Sequence, residues 1–181
     1  MALIARDDEV RAQLLADGVL FDGYHPAMAA VHDANAARLS EILDEHGWPT
    51  VPLVGVACAE AAFRIVQHAI NHPSLMRRAR ALVEQAAAAG EIPGSHFALL
   101  DDRIRTFEGL PQRFGTQWRM TPEGLAPYPI DDPEGLVARR REWQVPPPRA
   151  EMFAETPIPS PSELAAHEAA ERDWLRSVGW R

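Results

Sequence analysis

Apolar residues recur at helical spacing through most of the chain. Val10, Leu14 and Leu15 form the face of a first helix predicted over residues 7–16, ended by Asp17-Gly18. Met28, Val31, Leu39 and Ile42 form the stripe of a second helix. It opens at Pro26, runs to about residue 46, and is stopped by Gly47-Trp48-Pro49. A third helix is predicted over 56–71, closed by His72-Pro73, and a fourth over 75–89, capped by Ser74. A fifth, over 96–107, is capped by Ser95 and ended by Gly109. Short connections between five helices predict an antiparallel array.

After Gly109 the period changes to that of a strand. Phe114, Thr116, Trp118 and Met120 alternate with Arg113, Gly115, Gln117 and Arg119. A turn at residues 121–124 and a proline-limited return predict a hairpin near 113–130. Asp131 or Asp132, before Pro133, starts a further helix reaching about residue 143, whose Arg139-Arg140-Arg141 reads as a solvated face. Residues 144–161 hold six prolines and predict an extended connector. Ser160-Pro161-Ser162-Glu163 then carries the signature of a capping box. The last helix is amphipathic through Leu164, Trp174, Leu175 and Val178, so it should dock on an apolar surface of its own chain or of a second copy. The expected fold is mainly α, a single helical-array domain with a small β-hairpin and a proline-tethered C-terminal helix. Residues 1–145 are read as the helical domain, and 146–181 as linker plus helix.

Against this frame, several polar residues stand where apolar ones belong. Asn35 interrupts the stripe of the second helix, and His32 lies on its edge. The third helix is apolar on most sides, with one polar wedge of Glu60, Arg64, Gln67, His68 and Asn71. Burying such groups without partners costs about 1–3 kcal/mol each, so they either satisfy one another or line a site. His68 is the candidate general acid/base, because an imidazole titrates near neutrality. Asn35 and Gln67 are candidates to orient it or a substrate, and Arg103 to hold an anionic group. Asp102, Gln112, Thr116 and Gln117 complete the candidate binding set. The bland readings stand beside these. The wedge of the third helix can be a solvated stripe, Asn35 a device fixing helix register, and Asp102-Arg103 a surface ion pair. Cys58, on an alanine-rich face, reads as a small core residue. His68 and His72 have the spacing of a helical metal pair, with His32, His25 or Glu60 as a third ligand. No HExxH motif or cysteine cluster supports such a site, so no metal and no cofactor are expected.

Composition narrows the classes. A chain of 181 residues, 46% hydrophobic, suits one packed core. A net charge of −8 argues against a nucleic-acid surface, which needs a basic face. The single cysteine excludes an intrachain disulfide. The chain's opening lacks an apolar leader segment, and no apolar run approaches the ~20 residues of a membrane span. A cytoplasmic protein is expected, with no membrane or nucleic-acid partner. No glycine-rich phosphate loop or nucleophile elbow is present.

Jointly, the polar positions resemble a known pattern. Gly23-Tyr24-His25-Pro26, His32 and Asn35-Ala36 with Leu39 resemble its opening; Gly47-Trp48-Pro49, Val54-Gly55 and Ile65-Val66-Gln67-His68-Ala69 resemble its centre. Asp102-Arg103-Ile104, Glu108-Gly109, Pro111-Gln112 and Gly115-Thr116-Gln117 resemble its most distinctive stretch. Ile130-Asp131-Asp132-Pro133 with Arg139-Arg140 resembles its end. The pattern is that of a bacterial domain-of-unknown-function family, covering about residues 23–143. The resemblance implies no activity. It implies that Gln67, His68, Asp102, Arg103, Gln112 and Gln117 belong to one set, which strengthens the reading of His68 as functional. Two positions depart: His72 stands where the family often has an acid, and Phe114 where it often has tyrosine. The leading expectation is a small-molecule site, with proton transfer or hydrolysis centred on His68. The alternative is a non-catalytic binding or immunity-type protein. Self-association through the C-terminal helix is a further expectation.

Overall fold

The computed structural model describes residues 2–20, 24–148 and 158–181. It is mainly helical, with one two-stranded antiparallel hairpin. The chain divides into two compact units, Met1–Ile92 and Pro93–Arg181.

The first unit is built from α1 (Ala2–Ala16), α2 (Pro26–His46), the single turn α3 (Val51–Val54), α4 (Val56–His68) and α5 (Pro73–Ala88). Helix α1 begins five residues earlier than residue 7, because Leu3 and Ile4 continue the apolar stripe toward the chain's start. Pro26 occupies the first turn of α2, and the His25 ring caps it by accepting from Ala27 N. Helix α4 buries one broad face, through Ala59, Ala62, Phe63, Ile65, Val66 and Gln67, while Val56, Ala57 and Glu60 are exposed; it is less enclosed than its composition predicts. It ends at His68, three residues short of the expected end. Helix α5 starts at Pro73 and not after Ser74, since proline's fixed φ and missing N–H suit a first turn. Leu39, Val66, Met76, Ala79 and Val83 form the centre of this unit's core, each at most 1% exposed.

The second unit holds α6 (Gly94–Phe107), β1 (Trp118–Thr121), β2 (Gly124–Pro127), α7 (Leu136–Glu142) and α8 (Pro161–Ser177). Helix α6 starts at Gly94, ahead of the expected Ser95 cap. A Cβ at Gly94 would lie 2.6 Å from the Trp143 carbonyl oxygen, so the close approach requires glycine. The hairpin pairs Trp118 with Pro127 and Thr121 with Gly124. It is shorter than predicted. Residues 113–117 alternate like a strand but make no ladder, because a buried carboxylate takes the amides of Arg113, Phe114 and Thr116, and the Gln112 side chain that of Gln117. Phe97 and Phe114 pack edge to face at 5.9 Å beside Trp143 and are fully buried.

Helix α8 begins with the predicted capping box between Ser160 and Glu163. Its apolar face docks within this unit: Trp174 and Trp180 pack on Phe107 at 5.5 and 5.1 Å, and Leu175 is buried. Arg181 closes the end of α6 by donating to the Phe107 and Thr106 carbonyls. Residues 149–157 of the expected connector, and 21–23 of the loop before α2, lie outside the described residues. Among the described residues no helix is long and apolar enough to cross a membrane.

Candidate functional site

Each unit gathers its own polar cluster, and the candidate residues divide between them. His32, Asn35, Gln67 and His68 belong to the first unit; Asp102, Arg103, Gln112, Thr116 and Gln117 belong to the second.

In the first unit the cluster forms on α1, α2 and α4. His68, on the last turn of α4, hydrogen-bonds through Nδ1 to Asp7 Oδ2 at 2.9 Å. Asp7 lies on α1 and its side chain is wholly buried. His32, on α2, places Nε2 3.6 Å from the same Asp7 oxygen. Its ring lies 4.7 Å from that of His68. On its other side, His32 Nδ1 bonds the Tyr24 hydroxyl at 2.8 Å, and the two rings stack. Arg64, one turn before His68, pairs with Asp8 and stands 3.6 Å from Asp7 Oδ1. One ligating atom from each of Asp7, His32 and His68 lies within 4.8 Å of the others.

Two atoms of this cluster are buried without a hydrogen bond among the described residues, Asp7 Oδ1 and His32 Nε2. The 3.6 Å contacts are too long to be hydrogen bonds. Burial lowers the pKa of His32, and the neighbouring His68 adds to the effect. Burial raises the Tyr24 phenol, helped by the charges of Asp33 and Asp7. The cluster is therefore a compact, desolvated set of two imidazoles and a carboxylate, reached from solvent along His68, whose side chain is 30% exposed.

Asn35 is buried and donates to the Leu3 carbonyl, tying α2 to α1. Gln67 is buried beside His68 in sequence. His72 lies apart from the His32–His68 pairing: its Nε2 binds Asp33 Oδ1 at 2.9 Å. The expected i, i+4 pair of His68 and His72 thus serves two different carboxylates. Asp7 was missed by the sequence reading. Its signal was the interruption of the stripe Leu3, Asp7, Val10, Leu14, the same kind of interruption that marked Asn35.

In the second unit Asp102 is not part of a surface ion pair. Its carboxylate is fully buried and accepts from the backbone N–H groups of Arg113, Phe114 and Thr116 and from the Thr116 hydroxyl. Burial raises its pKa although these donors pull the other way. Gln112 is fully buried. It donates to the Gln117 and Tyr128 carbonyls and accepts from Gln117 N. Arg103 reaches Gln117 Oε1 at 3.4 Å, and burial lowers its pKa. Arg139 and Arg140 are not a solvated face either. They donate to the Arg113 and Phe114 carbonyls at 3.0 and 2.6 Å. Gly115 takes a positive φ of 66° at the centre of this loop. Beside it lies a recess of about 400 Å³, bordered by Ser95, Leu99, Thr116, Trp118 and Arg140.

A protein-family model described as a family of unknown function (DUF6624) matches residues 1–154. No curated protein and no solved structure matches the chain.

Proposed function

Because the chain belongs to the DUF6624 family, whose function is unknown, we propose its function from geometry: a small-molecule site whose chemistry, proton transfer or hydrolysis, is centred on His68. The observation that carries this is the 2.9 Å contact between His68 Nδ1 and the wholly buried Asp7 carboxylate. A buried carboxylate fixes the orientation of an imidazole and stabilises its protonated form as charge develops. His32 stands next to it, held by Tyr24. In this reading Asp7 is the positioning residue, His68 the proton carrier, and His32 the second polar wall. Asn35 ties α2 to α1, and Gln67 is a candidate to orient His68 or the substrate.

Within the second unit, taken by itself, Asp102, Gln112 and Thr116 shape the 113–117 loop, and Arg103 with Gln117 is a separate candidate contact set. The non-catalytic, immunity-type alternative uses the same surfaces for a partner and needs no proton transfer.

A thermal-shift screen of small metabolites tests the proposal. Binders should stabilise the wild type, lose their effect in His68→Gln, and be turned over by the wild type alone. Stabilisation that survives His68→Gln would overturn it. Binding without turnover would favour the alternative.

A further inference from the structure

We propose that Asp7, His32 and His68 bind one divalent first-row transition-metal ion. The inference rests on reading this cluster as the functional site, and it names the ion that works there.

The spacing supports it. Bonds of about 2.0–2.2 Å to nitrogen or oxygen at tetrahedral or octahedral angles put neighbouring ligand atoms roughly 2.8–3.6 Å apart. The contacts of Asp7 Oδ2 with His68 Nδ1 and His32 Nε2 are 2.9 and 3.6 Å, at the two ends of that range. The separation of the two imidazole ligand atoms is within 4.8 Å, so any remaining gap closes by rotation of the rings.

The unmade bonds support it independently. His32 is more than nine-tenths buried, and its Nε2 has no hydrogen bond among the described residues although it points at a carboxylate. Asp7 Oδ1 is also buried without one. A buried polar group left unmet is costly, and an ion held between Asp7 Oδ2 and His32 Nε2 meets the latter of these two atoms.

The surrounding groups fit a ligand shell. A metal-bound histidine commonly uses its other nitrogen to hold an outer partner. His32 does so through Nδ1, to the Tyr24 hydroxyl. Arg64, 3.6 Å from Asp7 Oδ1, steadies the carboxylate from behind. The donor set has two imidazoles, one carboxylate and no thiolate. That favours zinc, manganese, iron or nickel over a thiolate-selected ion. Three protein ligands leave a coordination position open, the pattern of a catalytic and not a structural centre. An ion bound here would change the part His68 plays in the proposed site, from proton carrier to ligand, and water at the open position would be the group that gives up a proton.

The test uses untagged, chelator-treated full-length protein, titrated with Zn²⁺ by calorimetry and with Co²⁺ by visible absorption. One ion per chain is expected. The Co²⁺ spectrum should show a mixed nitrogen–oxygen site. His32→Asn and Asp7→Asn should each weaken Zn²⁺ binding at least tenfold. Tyr24→Phe should weaken it less, and His72→Gln not at all. Circular dichroism confirms that each variant is folded; should Asp7→Asn unfold, His32→Asn and His68→Asn carry the test. No binding by the wild type, or binding that survives His32→Asn and His68→Asn, overturns the inference. If metal is not bound but small-molecule binding still depends on His68, only the metal falls, and the proposed function stands.

Discussion

His68 and Asp7 are separated by 61 residues in sequence and 2.9 Å in space. The first helix of the chain therefore completes a cluster whose histidines come from α2 and α4. Replacing Asp7 by alanine removes the hydrogen-bond acceptor of His68 and a charge beside Arg64. The expected loss is about 1–3 kcal/mol in a urea titration. A loss within error would mean that the contact contributes nothing to the fold.

Stability should also depend on pH through His32. Its pKa in the folded chain is depressed, first by burial. The unfolded chain therefore takes up its proton at higher pH than the folded one. The contribution of neutral His32 is fully present above the unfolded value of about 6.5. It is lost as pH falls from there through the folded value. Metal-free wild type should lose more stability over that interval than His32→Asn. Equal losses would show that His32 is not the group responsible.

Asp102 serves three backbone amides and a hydroxyl at once. Asp102→Asn puts an amide group among those donors, with an expected cost of about 2–4 kcal/mol, since charged acceptors are worth more than neutral ones. Thr116→Val removes one donor and should cost about 1 kcal/mol. If the order of the two were reversed, the loop would be held chiefly by the Arg139 and Arg140 contacts.

Truncation after Val145 should leave a folded chain that is less stable and more self-associating. It uncovers Phe107, on which Trp174 and Trp180 pack. Sedimentation velocity and thermal melts read the two effects. An unfolded product would make α8 part of the core; a folded and equally soluble one would make its docking inconsequential.

The helical frame was legible because periodic apolar stripes and proline or glycine stops are local signals. The ends of α2 and α5 and the capping box of α8 follow from a few adjacent residues, whereas α4 stops three residues before its expected close. The site was legible by halves. His68, Asn35 and Gln67 stood out as polar positions within apolar helices. Asp7 did not, because an acid near the start of a helix ordinarily favours the helix dipole and draws no notice. The 113–117 segment misled for a related reason. Side-chain alternation says strand, but amide partners decide whether a ladder forms. Here the partner was Asp102, a residue that looks like a surface charge until its burial is seen.

The two-sided hold on residues 113–116 bears on protein engineering. The amides of Arg113, Phe114 and Thr116 end on a carboxylate of α6, and carbonyls of Arg113 and Phe114 end on guanidinium groups of α7. The shape of this loop is thus encoded mostly outside it. Transplanting Arg113-Phe114-Gly115-Thr116 alone into another scaffold would carry the letters without the instructions. A successful graft must bring the aspartate and both arginines with it, in register, as three separated pieces of one design.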